Sequence, residues 1–179
     1  VLTKEFGLNL ESTKFFAGHS LGEYTALVCS GALTLERAAY LLNERGKSMQ
    51  NAVPEGEGGM LAVLGMSIED VEKEIAELPR GQVCEIANDN SNTQVVVSGK
   101  KTSIEIFSKI LKEKKKKGII LPVSAPFHSS LMTKAADSMK DKIESTNFKQ
   151  PSLSLISNVT AKEENNVNKI KPLLIDQIT

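Results

Sequence analysis

The sequence predicts an α/β fold in which a small unit is inserted into a larger one. A short apolar strand runs into Gly18-His19-Ser20-Leu21-Gly22 and then into a helical segment. Strands and helices then alternate as β-α-β-β-α-β between about residues 60 and 123, and a further strand follows at Ser154–Val159. These three observations favour a large subdomain over residues 1–54 and 125–179, with a small subdomain over residues 55–124.

The large subdomain is predicted to contain one strand and three helical segments before the break at residue 54. They are the end of a helix at Val1–Gly7, a strand at Thr13–His19, and helices at Leu21–Ser30 and Leu35–Ala52. Gly7 and Gly31 follow helices as C-cap glycines do, and Thr34 is a suitable N-cap. A helix at Leu131–Ser145 and the strand at Ser154–Val159 return the chain to this subdomain, and an apolar-periodic segment ends it at Ile170–Thr179.

The small subdomain begins after the glycine-rich break Pro54–Gly59. Its predicted strands are Met60–Gly65, Gln82–Ala87, Gln94–Ser98 and Gly118–Val123, with a turn at Asn88–Thr93. Its predicted helices are Ser67–Leu78, capped by Ser67, and Thr102–Lys116. The order β-α-β-β-α-β is that of a ferredoxin-like unit.

Composition limits the classes of protein to which this chain could belong. Its 179 residues are 40% hydrophobic, and 22 basic residues balance 22 acidic ones, so charge gives no case for nucleic-acid or membrane binding. Cys29 and Cys84 lie in apolar contexts, which predicts two buried, reduced thiols rather than a disulfide or a metal site. The chain starts at Val1 and reaches its Gly-x-Ser-x-Gly motif within 20 residues, so we interpret it as a fragment of a longer protein.

The Gly-x-Ser-x-Gly motif between a strand and a helix is the sequence form of a nucleophile elbow. Two glycines flank Ser20, which is expected where a turn is too tight for side chains, and the Leu21 N–H would face a developing oxyanion. A serine nucleophile needs a base, and the chain holds only His19 and His128. His19 precedes the serine and points to the opposite face, so His128 is left as the candidate base, with a purely structural histidine as the alternative. No acidic third member stands out, which suggests a dyad.

Arg45 lies on the apolar face of the second predicted helix, together with Leu35, Ala38, Leu42 and Met49. A guanidinium at such a position must meet an anion or reach water. It is therefore either a paired or snorkelling structural arginine, or a fixed cation for a carboxylate substrate.

Four lysines, Lys114–Lys117, close the second helix of the small subdomain. Lysines at a helix C-terminus complement the helix dipole and are well solvated, which is the simpler interpretation. The alternative is a docking patch for an acidic protein partner.

Four segments together resemble the malonyl-CoA:acyl carrier protein transacylase family of fatty acid synthesis. They are Gly18–Tyr24, Arg45–Gln50, Asn88–Gly99 and Pro126–Met132, in the family's order and spacing. The resemblance covers essentially the whole chain. It implies an α/β-hydrolase-like large subdomain with an incomplete parallel sheet, a ferredoxin-like insertion, and an active site in the cleft between them.

The resemblance also implies a role for individual residues. Ser20 would be the acylated nucleophile and His128 its general base. Arg45 would bind the free carboxylate of the malonyl group, and the Leu21 amide would form half of the oxyanion hole. Asn88, in the hairpin of the small subdomain, would contact substrate.

The implied reaction moves a malonyl group from malonyl-CoA to the phosphopantetheine thiol of acyl carrier protein, with no metal or redox cofactor. In related acyltransferases of polyketide assembly, a phenylalanine before the histidine accompanies malonyl units, and Phe127 fits that pattern. Two family segments are not found here: a Gly-Gln-Gly-x-Gln motif would precede Val1, and a Gly-Pro-Gly loop would follow Thr179.

Three alternatives to this function remain open. The elbow could serve a serine thioesterase or hydrolase, the chain could be an acyltransferase domain of a polyketide synthase, or it could only dock carrier protein through its lysines. We expect a cytoplasmic monomer that binds malonyl-CoA and acyl carrier protein and neither nucleic acid nor membrane.

Overall fold

The structure, a computed structural model, describes residues 2–179 except for the side chains of Leu2, Thr3 and Glu11; Val1 lies outside the described residues. The chain forms two compact units. The first contains the residues up to Arg45 and Met139–Gln177, and the second contains Gly46–Ser138 with the last two residues. The boundaries after Arg45 and after Ser138 fall within continuous helices, so the subdomain limits at residues 54 and 125 stay a prediction.

An α/β architecture is confirmed, with helices and strands that follow the predicted order closely. The elements are α1 Leu2–Phe6, β1 Phe16–Ala17, α2 Gly22–Cys29, α3 Leu35–Gln50, β2 Gly58–Leu64, α4 Ile68–Ala76, β3 Cys84–Ser91, β4 Gln94–Lys100, α5 Lys101–Glu113, β5 Lys117–Ile120, α6 Thr133–Ser145, β6 Leu155–Ile156, β7 Glu163–Glu164 and α7 Val167–Asp176. Short 3-10 helices lie at Leu10–Ser12 and Ser130–Met132.

The first unit contains a three-stranded sheet in the order β1-β6-β7. β1 and β6 are parallel, with Phe16 opposite Leu155, and β7 is antiparallel to β6. The predicted strand Thr13–His19 is too long, because β6 offers only two residues for pairing. β7 was not predicted, since its two glutamates carry no strand signal. The parallel pair brings the carboxyl ends of β1 and β6 to the same edge of the sheet.

The predicted caps are present in the structure. The Thr34 hydroxyl accepts a hydrogen bond from the Arg37 N–H at 3.2 Å, and α3 begins directly after it. The Ser67 hydroxyl accepts one from the Asp70 N–H at 3.3 Å. Gly31 follows α2 with a φ of 75°, the left-handed conformation that terminates many helices.

Of the five residues predicted on the apolar face of α3, three are buried, Leu42 is half-buried and the first, Leu35, is exposed. Ala38, Arg45 and Met49 are buried as the spacing predicts. Leu35 is 69% exposed, because it stands at the helix end, where no preceding turn covers it, and Leu41 is buried instead.

The second unit is built on a four-stranded antiparallel sheet in the order β3-β4-β2-β5. Helices α4 and α5 follow β2 and β4 in the chain, so the element order is β-α-β-β-α-β. Apolar side chains of β2, β4 and α5 form the core of this unit. Its fully buried members include Leu61, Val63, Val95, Val97, Phe107 and Leu111.

The segment Asn88–Thr93 is not a turn over its whole length, as the sequence suggested. β3 continues to Ser91 and pairs with β4, with register shifts after Ile86 and after Asp89. β3 is an edge strand, so its polar side chains can face water while the backbone still pairs. Only Asn92 and Thr93 connect the two strands.

Both cysteines are free thiols, but only Cys84 is buried. The prediction of a buried Cys29 is wrong, because this last residue of α2 lies on the helix face that is exposed. Burial raises the pKa of the Cys84 thiol to about 12.

The lysines that follow α5 are exposed, as expected of a solvated helix end. Lys114 donates from Nζ to the carboxylates of Glu74, at 2.5 Å, and Glu77, at 2.6 Å, and so ties the end of α5 to α4. The docking role of these lysines stays a prediction. No helix within residues 2–179 is long and apolar enough to cross a membrane.

We expect Phe107→Ala to lower the free energy of unfolding of the chain by about 3–5 kcal/mol, because it leaves a cavity in a fully buried core. Urea denaturation measures this loss. Glu105→Ala, an exposed position on the same helix, should change the free energy by no more than about 0.5 kcal/mol. Equal effects of the two substitutions would show that the core around Phe107 is not close-packed.

Candidate active site

The turn between β1 and α2 holds Ser20 in a left-handed backbone conformation. Its φ is 52°, a region that costs a residue with a side chain about 1–2 kcal/mol. The Gly22 N–H donates to the His19 carbonyl at 2.9 Å, and the Glu23 N–H donates to the Ser20 carbonyl at 3.1 Å. Strand, strained serine and helix follow one another as in a nucleophile elbow.

The two glycines of the motif are not equivalent. A Cβ on Gly18 would lie 2.0 Å from the Gly22 carbonyl oxygen, so no side chain fits at position 18. A Cβ on Gly22 would meet no atom within 4 Å among the described residues. Tightness of the turn therefore explains Gly18, and the same explanation for Gly22 is wrong because the first residue of α2 points into open space.

Asn158, directly after the Ser157 that follows β6, binds the turn on both sides of His19. Its side-chain Nδ2 donates to the Gly18 carbonyl at 2.7 Å, and its Oδ1 accepts from the Ser20 N–H at 2.6 Å. This residue was not predicted from the sequence. Its position after a strand that pairs in parallel with β1 was the available signal, since both carboxyl ends meet at one edge.

Leu21 stands at the N-terminus of α2, immediately after Ser20. Within residues 2–179 its N–H donates to no protein acceptor, while the Ser20 N–H is engaged by Asn158. Free N–H groups at a helix N-terminus favour negative charge. The geometry is suited to the predicted oxyanion donor.

The Arg45 side chain, only 6% exposed, reaches Ser20 from α3. Its Nη2 donates to the Ser20 Oγ at 3.1 Å and to the Gln177 Oε1 at 3.0 Å. Its Nε is buried and has no hydrogen-bond partner in the described chain. The buried face that the helical spacing indicated thus leads the guanidinium to the serine hydroxyl.

Gln177, which follows α7, joins three parts of this site. Its Nε2 donates to the Ser20 carbonyl at 3.2 Å and also to the Glu23 carboxylate, while its Oε1 accepts from Arg45. The Glu23 carboxylate further accepts from the Asn158 N–H at 3.4 Å. One amide side chain therefore links the buried cation and the buried acid to the serine backbone.

Burial controls the ionisation of this cluster. Desolvation raises the pKa of Glu23, against the opposing effects of its hydrogen bonds from Gln177 and Asn158 and of the Arg45 charge. Desolvation lowers the pKa of Arg45 and raises that of Tyr24 to about 12. An acid and a base buried together partly offset each other's desolvation.

His128 belongs to the second unit and is half-buried, with a φ of 56°. Hydrogen bonds fix the loop that follows it: the Ser129 hydroxyl donates to the Pro126 carbonyl at 2.7 Å, and Ser130 donates from N at 2.7 Å and from Oγ at 2.6 Å to the Glu85 carboxylate. The loop is therefore held both by the Glu85 carboxylate of β3 and by a carbonyl of its own backbone. The role of His128 as a base stays a prediction.

Asn88 and Phe127 also belong to the second unit. Asn88 is half-buried in β3, next to a register shift, and not in a turn. Phe127 packs against the buried Met60, Ala62 and Val96. A packing role is therefore visible for Phe127, and the substrate roles of both residues stay predictions.

The structure brings Ser20, Leu21 and Arg45 together within the first unit, whereas His128 and Asn88 lie in the second. Gln177 was not predicted, because a glutamine within an apolar segment forms no distinctive pattern. The one available signal was a polar residue at the end of a segment that was expected to be buried.

Within residues 2–179, no group of three or more His, Cys, Asp or Glu side chains could hold a metal ion.

Similar proteins bear directly on this arrangement. A malonyl CoA-acyl carrier protein transacylase of Bacillus subtilis (strain 168) is 41% identical over 177 residues, which are 98% of this chain and 55% of that protein. The crystal structure of an acyl-carrier-protein-S-malonyltransferase from Bartonella henselae matches with a TM-score of 0.94 and 41% identity, covering 99% of this chain and 57% of that one.

A third similar protein was solved with a partner. It is a malonyl-transacylase in complex with its acyl-carrier protein from a type II polyketide synthase, with a TM-score of 0.92 and 36% identity over 99% of this chain and 57% of that one. The chain spans about half the length of the relatives it matches. A family model described as an acyl transferase domain matches residues 4–171, and the chain therefore belongs to the acyl transferase domain family.

Proposed function

We propose that the protein containing this chain transfers the malonyl group of malonyl-CoA to the phosphopantetheine thiol of acyl carrier protein, in fatty acid synthesis. The transfer passes through a malonyl ester of Ser20. The names of the similar proteins from Bacillus subtilis and Bartonella henselae support this reaction, and the complex of a similar transacylase with its acyl-carrier protein supports the partner.

The observation that carries the proposal is the buried guanidinium of Arg45 beside the Ser20 hydroxyl, 3.1 Å away. A malonyl group esterified to Ser20 carries a free carboxylate two bonds beyond its ester carbonyl. A guanidinium matches a carboxylate with two parallel hydrogen bonds. The Arg45 Nε is buried without a partner in the described chain, so a bound carboxylate would satisfy a donor that is otherwise costly to bury.

In the proposed mechanism, His128 removes the proton from the Ser20 Oγ as that oxygen attacks the thioester carbonyl. The Leu21 N–H stabilises the oxyanion of the tetrahedral intermediate, an effect typically worth a few kcal/mol for each donor. The C–S bond then breaks, and CoA leaves with the proton that His128 held. In the second half, His128 takes the proton of the carrier thiol as its sulfur attacks the malonyl ester. The ester C–O bond then breaks, and His128 returns the proton to the Ser20 Oγ.

Several finer points form part of the same proposal. The second unit is a ferredoxin-like insertion, and the first is part of an α/β-hydrolase-like fold; the strand order β3-β4-β2-β5 and the parallel β1–β6 pair support this. The reaction uses no metal or redox cofactor, because serine, histidine and backbone amides supply the acyl-transfer chemistry.

We also propose that the protein is a monomer that works in the cytoplasm, and that Asn88 contacts the substrate.

A polyketide carrier protein is the second candidate acceptor, favoured by the similarity to a transacylase solved with a polyketide acyl-carrier protein. Assays with carrier proteins of both kinds distinguish the two pathways.

A serine hydrolase, which would transfer the acyl group to water, remains the alternative reaction. It would be supported if malonyl-CoA were hydrolysed without carrier protein as fast as malonyl transfer proceeds with it.

We expect Ser20→Ala in the protein containing this chain to abolish the acyl-enzyme and to lower the transfer rate by about 10⁴-fold or more, since the nucleophile is lost. Mass spectrometry after brief incubation with malonyl-CoA detects the malonyl adduct. Ser152→Ala, at an exposed serine, should keep both the adduct and the rate. Persistence of the adduct in Ser20→Ala would rule out Ser20 as the nucleophile.

We expect Arg45→Ala to reduce malonyl transfer about 100-fold more than acetyl transfer, because only malonyl presents a carboxylate that needs the cation. Rates with malonyl-CoA and acetyl-CoA measure this specificity. Arg37→Ala removes an exposed arginine from the same helix and should alter neither rate. Equal losses for the two acyl groups in Arg45→Ala would assign Arg45 a structural role only.

A further inference from the structure

The carboxamide of Asn158 spans the strained turn that carries Ser20. Its Nδ2 donates to the carbonyl of Gly18, at 2.7 Å, and its Oδ1 accepts from the N–H of Ser20, at 2.6 Å. A planar amide is a side-chain group with a fixed donor and a fixed acceptor side by side. It therefore sets the separation between the backbone groups on either side of His19.

This separation matters because the Ser20 backbone is in an unfavourable conformation. With a φ of 52° the residue stays left-handed only if its surroundings over-determine it. Gly18 contributes by leaving room for the Gly22 carbonyl. Asn158 contributes attraction, since relaxation of Ser20 toward right-handed values would turn its N–H away from the Oδ1 acceptor.

Asn158 is itself held in place. It comes one residue after Ser157, whose N–H donates to the Lys162 carbonyl at 3.0 Å, and its own N–H donates to the Glu23 carboxylate. Glu23 belongs to α2, the helix that follows the turn. Although Asn158 is exposed, its backbone is thus held from the sheet side and from the helix side, so its carboxamide extends from a fixed position.

The same contact assigns the amides of the turn to different tasks. The Ser20 N–H is committed to Asn158. The Leu21 N–H donates to no protein acceptor within residues 2–179 and can serve the oxyanion. Loss of Asn158 would free the Ser20 N–H, and the Ser20 and Leu21 N–H groups would then no longer have separate tasks.

We propose that Asn158 is a positioning residue: its carboxamide holds Ser20 in the left-handed conformation and thereby aims the Ser20 Oγ for attack. The inference rests on the proposed function, in which Ser20 is the nucleophile. Asn158 touches the backbone of the nucleophile and is not itself assigned a contact with substrate.

The test measures the reactivity of Ser20 with a fluorophosphonate ester, for which no malonyl recognition is needed. In this reaction the serine oxygen bonds to phosphorus, fluoride leaves, and the serine proton passes to the base. The full-length protein is compared with its Asn158→Ala and Asn158→Asp variants. Asn51→Ala, at an exposed asparagine of the second unit, is the matched control, and Ser20→Ala identifies the labelled residue.

We expect Asn158→Ala to lower the labelling rate by about 100-fold, the scale of a nucleophile displaced by about 1 Å. Asn158→Asp keeps the acceptor for the Ser20 N–H and loses the donor to Gly18, so its rate should fall in between. With malonyl-CoA, kcat should fall while KM changes little, because Arg45 is untouched. Thermal unfolding gives the melting temperature of each variant, and labelling rates are compared well below the lowest of these temperatures.

The outcomes separate this inference from the proposed function. Absence of Ser20 labelling in the unmodified protein overturns both. Labelling of the unmodified protein together with an unchanged rate in Asn158→Ala overturns the positioning role alone. If Asn158→Ala does not fold, Asn158→Asp decides: a rate equal to that of the unmodified protein overturns the role, and a clear fall supports it.

Discussion

The left-handed backbone of Ser20 is the constraint on which the rest of the site depends. A φ of 52° is unfavourable for serine, so the residues around the turn between β1 and α2 must hold it there. Two hydrogen bonds hold this conformation: the Ser20 N–H donates to Asn158, and Gln177 donates to the Ser20 carbonyl. Gly18 makes the turn possible because a side chain there would collide with the Gly22 carbonyl. Asn158 and Gln177 both come from Met139–Gln177, the segment of the unit that is distant from the turn in sequence.

Electrostatics impose a second requirement on the same turn. Arg45 and Glu23 are both buried, and neither would be tolerated alone at such low exposure. The Gln177 amide separates and connects them, accepting from the cation and donating to the acid. This arrangement leaves the guanidinium directed at the Ser20 hydroxyl instead of collapsed onto Glu23. A cation kept in that position is available to a substrate anion.

The features that were predicted correctly depend on residues close to one another in the sequence. The capped helices, the alternation of strands and helices in the second unit, and the burial of Arg45 all follow from the spacing of apolar residues and caps. The roles of Asn158 and Gln177 were not predicted, because they depend on contacts with residues distant in sequence, which the spacing of apolar residues does not indicate. Two local predictions were wrong for different reasons: Leu35 is exposed because no helical turn precedes it, and Asn88 lies in a strand because β4, a separate segment, pairs with its backbone.

The parallel pairing of β1 with β6 explains why such distant residues converge. Because parallel strands end at the same edge, the residues that follow Ala17 and Ile156 are brought together, whatever lies between them in the chain. Asn158 thus reaches a turn 138 residues earlier. Each strand of the pair is only two residues long, and a shift of the pairing by one residue would move Asn158 along the sheet edge, away from the carbonyl of Gly18 and the N–H of Ser20. The short pairing and the amide contacts stabilise one another, and the geometry of the serine is a property of both.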